Sequence, residues 1–280
     1  MGEDEEAVER GGKSRARGRK VKILILGDFM IDAYHYATTE RISPEAPIPV
    51  FKIIQRPKLF DGGAGNVAKN VMALGGDTVV PNYLSSGAYP PRKNRLMVGN
   101  TQVVRWDEDD LQQPNDVEIF TTPGISKIII ADYGKGSIDS NVQVAAYEAN
   151  LPTFVDTKLD PSPYLGWVTA IFPNAKEYQQ FKTIYDRFER CVVTRGAEGL
   201  EVLEFGKVIE SFPAFCPRPV NVCGAGDTVT AAYAVRWPKA DAAEFAALAA
   251  AIVVAKEGTA TASLEEINEL RRAVRKQGVR

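Results

Sequence analysis

Residues 221–228 (NVCGAGDT) combine two glycines with an acid, immediately before an apolar stretch. If a helix begins after Gly224, the backbone N–H groups of Ala225, Gly226 and Asp227 project unpaired from its N-terminus. The helix dipole adds partial positive charge there, so this end can bind an anion. Asp227 beside that anion can take a proton from a hydroxyl. The segment is therefore either a glycine-rich loop capped by an acid or a site for phosphoryl transfer from a nucleotide to an alcohol.

The bulk composition excludes several other kinds of function. The chain has 280 residues, 45% of them hydrophobic and 25% charged, and its net charge of −2 gives no argument for nucleic-acid binding. A single histidine excludes a multi-histidine metal site. The three cysteines are odd in number and widely spaced, which predicts reduced thiols and a cytoplasmic location. No apolar run reaches the roughly 18 residues of a membrane-spanning helix, so no membrane partner is expected.

The first twenty residues differ in kind from the rest of the chain. They hold an acidic cluster, then a basic one, and almost no apolar side chains. Such a segment cannot bury enough surface to fold, so residues 1–20 are predicted to be a disordered tail. The folded domain is expected over residues 21–280.

Short apolar runs alternate with helical patterns along this domain. The runs predict buried parallel strands at residues 21–27, 79–84, 127–131, 153–156, 168–172 and 191–194. Helices are predicted at residues 64–74, 137–149, 225–236 and 242–256. This order predicts an α/β fold, a mostly parallel central sheet with helices on both faces. Polar residues that follow strands are expected at the ligand-binding edge of that sheet: Asp28, Asp132, Asp156 and Asn174.

Residues 33–56 and 95–107 break this pattern with alternating polarity and, in the first segment, three prolines. Both are expected to form antiparallel strands outside the main sheet, as a small β-flap lid over the active edge. Such a lid excludes water from phosphoryl transfer. Exposed apolar flap faces often pair between subunits, so a homodimer through the flap is expected. His35 falls here and is expected to be a lid or surface residue rather than a catalyst.

Four motifs in order resemble those of the PfkB/ribokinase family of sugar and nucleoside kinases. They are GGAGN at residues 62–66, PNAKE at 173–177, TRGAEG at 194–199 and GAGD at 224–227. Further stretches resemble the heptose-7-phosphate 1-kinase branch, which acts in lipopolysaccharide-precursor synthesis. These are residues 27–32 (GDFMID), 41–50 (RISPEAPIPV), 131–136 (ADYGKG), 155–158 (VDTK) and 253–259 (VVAKEGT), with Arg105 and Asp107.

The resemblance implies a ribokinase-like fold and an ATP- and Mg²⁺-dependent kinase for the anomeric hydroxyl of a heptose 7-phosphate or similar phosphosugar. It implies that Asp227 is the base, beside an anion hole formed by Gly224, Ala225 and Gly226. The implied sugar ligands are Asp32, Gly62, Gly63 and Asn66. The cations available for the acceptor phosphate are Arg41, Arg105, Lys135 and Lys158, of which some can equally be surface charges. On the nucleotide side the resemblance implies Thr194, Gly196, Gly199, Lys256 and Gly258. Asn174 and Glu177 are expected to arrange Mg²⁺, with Glu177 reaching it through water.

The chain also departs from the family pattern. It is shorter after residue 84 and between residues 177 and 191, where sheet-covering material is reduced, and no fused nucleotidyltransferase domain is expected. Asn221 and Cys223 replace the acid and the threonine that help to form a monovalent-cation site in relatives, which argues against such a site here. Two alternatives stay open: a PfkB kinase for another sugar or a nucleoside, and a catalytically idle nucleotide- or sugar-binding protein.

Overall fold

The computed structural model describes residues 20–81, 90–109, 112–216 and 218–276. The tail expected at residues 1–20 falls outside these ranges except for its last residue. The strands are β1 (Lys22–Gly27), β2 (Phe29–Ile42), β3 (Pro49–Ile53), β4 (Lys58–Gly63), β5 (Asp77–Val79), β6 (Arg92–Val98), β7 (Thr101–Glu108), β8 (Lys127–Asp132), β9 (Thr153–Thr157), β10 (Ala170–Ile171), β11 (Cys191–Thr194), β12 (Leu200–Glu204) and β13 (Lys207–Phe212). The helices are α1 (Ala64–Ala73), α2 (Ser140–Glu148), α3 (Ala175–Gln180), α4 (Lys182–Tyr185), α5 (Ala225–Arg236), α6 (Ala242–Val254) and α7 (Leu264–Lys276).

The main sheet has eight strands in the order β13-β12-β11-β10-β9-β8-β1-β5. The strands from β11 to β5 run parallel, and β12 and β13 extend this sheet in antiparallel pairing. Every residue of β8 is buried, as expected of a parallel strand covered on both faces. The sheet confirms the α/β fold predicted from alternating strands and helices.

The two faces of the sheet carry separate hydrophobic cores. Side chains alternate along β1, so Ile23 and Ile25 pack with α1, α5 and α6, while Leu24 and Leu26 pack on the opposite face with α2. On that second face the short helices α3 and α4 contribute buried tyrosines, and Phe188 adds to them. The reduced segment between residues 177 and 191 therefore still covers its part of the sheet.

A second sheet, here called the flap, contains β2, β3, β4, β6 and β7. The strand order is β3-β2-β6-β7, and β4 pairs with the first half of β2 on the same edge as β3. The flap is larger than the two predicted segments, because β2 begins at the end of β1 and β4 runs directly into α1. The expectation of purely antiparallel strands was wrong for β2 and β6, which pair in parallel.

Several predicted boundaries differ from the structure. Strand β5 ends at Val79 rather than at residue 84, and residues 82–84 lie outside the described ranges. Helix α2 begins at Ser140, because the Asp139 side chain accepts a hydrogen bond of 2.9 Å from the N–H of Val142 and caps the helix. Helix α6 ends at Val254 rather than at residue 256. Strands β12 and β13 and helix α7 were not predicted at all.

Candidate active site

A cavity of about 940 Å³ lies where the carboxyl ends of the parallel strands face the flap. Its walls come from strand ends at Asp156 and Thr194, from the N-terminus of α5, from α6, and from flap residues including Asp32 and Lys93. This is the edge at which open α/β sheets bind ligands. The cavity divides into a polar end under the flap, a middle at α5 and an apolar end along α6.

Asp227 lies in the middle of the cavity and is only 4% exposed. Asn66 donates a hydrogen bond of 2.8 Å from Nδ2 to Asp227 Oδ2, and the Tyr133 hydroxyl donates one to Oδ1. Burial, followed by repulsion from the Asp156 carboxylate, raises the pKa of Asp227 from its ordinary value of 3.8 to about 6, although both hydrogen bonds oppose that rise. At pH 7.5 the carboxylate is therefore ionised and unusually basic, as a group that accepts a proton should be.

The N-terminus of α5 forms an anion-binding turn next to this carboxylate. Gly224 adopts a left-handed conformation with φ of 76°, and a Cβ added there would lie 2.4 Å from the Asn66 amide nitrogen. The Ala225 N–H makes a long bond of 3.4 Å to the Val222 carbonyl, so the expectation that it projects unpaired was wrong. The N–H groups of Gly226 and Asp227 have no acceptor among the described residues. These two can bind an anion.

Charged side chains meet where β9 ends, also in the middle of the cavity. Lys158 Nζ lies 2.7 Å from an Asp156 oxygen and 3.0 Å from a Glu177 oxygen. Burial opposes the charge of Lys158, yet the two carboxylates together raise its pKa above the ordinary value. Lys158, expected at the acceptor phosphate, is thus already ion-paired.

Asn174 and Glu177 form a capping box at the start of α3. The Glu177 N–H donates to Asn174 Oδ1 at 3.0 Å, and the Asn174 N–H donates to a Glu177 oxygen at 2.9 Å. Asn174 lines the cavity, and Glu177 reaches its edge through Lys158. Oxygen donors of this type suit Mg²⁺, which keeps several waters and needs few protein ligands. No cluster of three or more His, Cys, Asp or Glu side chains with metal-site geometry occurs in the described part of the chain.

The polar end of the cavity is organised around a buried ion pair. Arg95 Nη1 lies 2.5 Å from Asp32 Oδ1, and both side chains are 8% exposed. The adjacent glycines admit no side chain, because a Cβ on Gly62 would lie 2.7 Å from Asp32 Oδ2 and one on Gly63 would lie 2.4 Å from the Asp28 carbonyl oxygen. The first GG motif therefore keeps the backbone close to Asp32.

The apolar end lies between the β11–β12 connection and α6. It is lined by Thr194, Gly196 and Gly199 from the predicted nucleotide motif and by small or apolar side chains of α6: Ala247, Ala250, Ala251 and Val254. Lys256 and Gly258 lie outside this lining. Lys256 Nζ instead pairs with Glu266 at 2.6 Å, and Gly258 packs against the Phe60 ring, 2.7 Å from an added Cβ.

The other predicted cations also lie outside the cavity lining. Arg105 is paired with Asp107 in a two-point contact of 2.8 and 2.7 Å, and Lys135 is paired with Asp109 at 2.7 Å. Arg41 is exposed at the far end of β2. Asn221 donates to the Tyr34 hydroxyl at 3.2 Å and accepts from the Cys223 N–H at 2.8 Å, so its side chain holds the turn before α5.

The cavity residues that sequence analysis missed include Lys93, Arg95 and Tyr133. Tyr133 belongs to the ADYGKG motif, in which Lys135 was the residue predicted to bind the substrate. Its position is set by Asp28, whose carboxylate accepts from the N–H groups of Tyr133, Lys135 and Ser137. Lys93 and Arg95 alternate on β6, and this period of two was the signal that both face one side.

No helix in the described ranges is long and apolar enough to cross a membrane.

Residues 150–267 match the model of the pfkB family carbohydrate kinases. The Bifunctional protein HldE of a Nitratiruptor species is 34% identical over 310 residues, covering 92% of this chain and 66% of that protein. The protein of the same name from Campylobacter curvus is 33% identical over 312 residues, covering 91% and 66%. The chain thus spans about two thirds of the length of these relatives. Each alignment is longer than the 280 residues of this chain, so the relatives have residues with no counterpart here.

Solved structures share the fold at low sequence identity. The phosphofructokinase-2 of Escherichia coli superposes with a TM-score of 0.73 at 15% identity, over 91% of this chain and 99% of that one. The ribokinase of Thermotoga maritima gives 0.64 at 17% identity, over 90% and 99%. These likenesses confirm the ribokinase-like fold. The family match and the HldE relatives show that the chain belongs to the pfkB family of carbohydrate kinases.

Proposed function

We propose that this chain is an ATP-dependent kinase that phosphorylates the anomeric hydroxyl of a heptose 7-phosphate or a similar phosphosugar. The observation that carries the proposal is the position of Asp227, a buried and basic carboxylate beside the two free N–H groups at the start of α5. A binding protein has no use for such a base. The branch-like motifs at residues 41–50 and 131–136, and the HldE relatives, support a heptose phosphate as acceptor.

In the proposed reaction, Asp227 takes the proton of the sugar hydroxyl as the sugar oxygen bonds to the γ-phosphorus of ATP. The bond from that phosphorus to the β–γ bridging oxygen breaks, and ADP leaves with the bond's electrons. The N–H groups of Gly226 and Asp227 donate to the transferring phosphoryl group. Lys158 lines the same part of the cavity, where Asp156 and Glu177 hold its ammonium in place.

The two ends of the cavity suit the two substrates. The small side chains of α6 leave a flat apolar wall that can take an adenine ring, and Thr194 and Gly196 lie along the same side. Asp32 lines the polar end and can hold sugar hydroxyls near Asp227. Asn66, which was also expected to hold the sugar, is buried outside the lining and instead donates to the Asp227 carboxylate. When Mg²⁺ is bound, it neutralises charge on the ATP phosphates. Glu177, through water, and Asn174 are the residues that would hold it.

Self-association through the flap is part of this proposal, as is a cytoplasmic location. Several apolar flap side chains are exposed to solvent: Ile42, Ile53, Leu59, Val104 and Trp106. Apolar surface concentrated on one sheet is typical of a contact with another protein surface.

The test measures ADP release with Mg-ATP across heptose 7-phosphate, fructose 6-phosphate, ribose and adenosine. We expect turnover on the heptose phosphate, and its loss in Asp227→Asn. The matched control is Asp186→Asn, which removes a carboxylate that pairs with Lys182 outside the cavity. Turnover on another acceptor alone would keep the mechanism and refute the substrate. ATP binding without turnover on any acceptor would refute the kinase and favour an idle binding protein.

A further inference from the structure

The cations near the polar end of the cavity differ in whether their charge is already neutralised. Four of the five are paired with a carboxylate: Arg95 with Asp32, Arg105 with Asp107, Lys135 with Asp109, and Lys158 with Asp156 and Glu177. Binding an anion at any of these cations means sharing or breaking an existing ion pair. Each of these paired cations therefore contributes less to the binding free energy of a phosphate than an unpaired cation would.

Lys93 is the exception in this group. It lines the cavity, and no carboxylate in the described part of the chain lies within ion-pair distance of its ammonium. Its Cα partners on the neighbouring strands are Asp32 on β2 and Asp107 on β7, whose carboxylates are engaged by the two arginines. Burial lowers the pKa of Lys93, and attraction to the Asp32 and Asp227 carboxylates opposes this effect without outweighing it.

Lys93 and Asp227 line the same cavity and contact the same side chain, Tyr133. The Lys93 Nζ lies 5.0 Å from the centroid of the Tyr133 ring, and the hydroxyl of the same tyrosine donates to Asp227. Both groups therefore contact the same tyrosine, the ammonium at the face of the ring and the carboxylate at the hydroxyl. A phosphosugar bound in the cavity can then place its phosphate at Lys93 while its reacting hydroxyl faces Asp227.

We infer that Lys93 binds the phosphate that the acceptor sugar already carries, and that its unpaired charge makes the cavity select phosphorylated over neutral sugars. This inference rests on the proposed function and adds the residue that determines specificity. The ammonium donates hydrogen bonds to the phosphate oxygens while Asp227 receives the proton of the hydroxyl at the opposite end. The ion pairs of Arg95 and Arg105 keep Asp32 and Asp107 from competing for Lys93.

The test compares two acceptors, heptose 7-phosphate and the same heptose without phosphate, in wild type and in Lys93→Met. We expect kcat/KM for the phosphosugar to fall about 10- to 100-fold, the range of one charge-assisted hydrogen bond, mostly through KM. The value for the neutral heptose should stay unchanged, and Lys93→Arg should keep most of the preference. Lys182→Met, which removes a paired lysine outside the cavity, is the matched control, and thermal melting checks that each variant is folded.

The possible outcomes distinguish a failure of the Lys93 inference from a failure of the proposed kinase function. No wild-type turnover on any phosphosugar refutes the proposed function, and the inference with it. Wild-type turnover with an unchanged preference in Lys93→Met refutes the inference alone. An equal loss on both acceptors also refutes it, because Lys93 would then act on the transferring phosphoryl group or through Tyr133. A preference lost in Arg105→Met or Lys135→Met instead would assign the phosphate to those residues.

Discussion

Replacement of Tyr133 by phenylalanine should shift the pH dependence of the reaction. The change removes the hydroxyl that donates to the Asp227 carboxylate and leaves the ring in place. A hydrogen bond to a charged group contributes about 1.5–3 kcal/mol, and one pKa unit corresponds to about 1.4 kcal/mol. The pKa of Asp227, about 6 with the bond present, should therefore rise by roughly one to two units.

The sign of the effect follows from the role of the base. Only ionised Asp227 can accept the proton, so a higher pKa moves the acid limb of kcat/KM to higher pH. At pH 6.5 we expect activity to fall roughly 3- to 30-fold, with recovery towards wild type at pH 9. Burial raises the pKa of Tyr133 itself well above its ordinary value, so its own ionisation does not interfere. Asn66, Asp156 and Lys158 still face Asp227 in the variant.

The assay is a pH series of kcat/KM for wild type, Tyr133→Phe and Tyr178→Phe. Tyr178 donates to Asp186 at 2.6 Å, so this control removes a comparable bond to a carboxylate outside the cavity. Its acid limb should coincide with that of wild type. An unmoved acid limb in Tyr133→Phe, with activity reduced equally at every pH, would refute the argument that this hydroxyl sets the pKa of the base.

Two further predictions concern Gly224 and the stability cost of the base. Gly224→Ala should lower the free energy of unfolding by about 1–2 kcal/mol, because alanine is strained at φ of 76°, and it should also lower kcat by displacing Asn66. The control is Gly166→Ala, at φ of 88° with open space around it, which should show only the loss of stability in thermal melting. Asp227→Asn should raise the free energy of unfolding at pH 7.5 by up to about 3 kcal/mol, because a pKa raised to about 6 means that ionising the folded protein is unfavourable. The contribution of Asp227 to wild-type stability should accordingly fall as pH rises from about 4 to 6, so the gain of the variant over wild type should vanish below pH 4. Chemical denaturation showing no gain at pH 7.5 would contradict this.

The elements that the sequence predicts best are those whose pattern has one physical cause. Strands β1 and β8 are covered on both faces, so they are continuous apolar runs that no other local structure explains as well. The start of α5 could be predicted from the glycines and the acid that stand immediately before an apolar stretch, and Gly224 does precede the helix in a left-handed conformation that glycine adopts at little cost. Asp227 follows from the same turn, since it lies in the first turn of that helix.

The residues that escaped prediction depend on contacts between distant segments. Whether Lys93 faces the cavity is decided by the parallel pairing of β2 with β6, two strands that are separated along the chain by β3, β4, α1 and β5. Tyr133 points at the base because Asp28, more than a hundred residues earlier, accepts three N–H groups from its loop. Such long-range pairings cannot be predicted from residue type or from the local spacing of apolar residues.

The same limit explains why the sequence suggested four cations for the acceptor phosphate but not Lys93, which we infer from the structure. A sequence shows how many positive side chains lie near a site, but anion binding depends on how many remain uncompensated once the acids are in place. Two arginines on the flap engage the acids that flank Lys93 on either neighbouring strand. Under the inference that Lys93 binds the acceptor phosphate, breaking one of these ion pairs should weaken the preference for phosphosugars, since it releases a carboxylate that can approach the Lys93 ammonium and compete with the substrate for it.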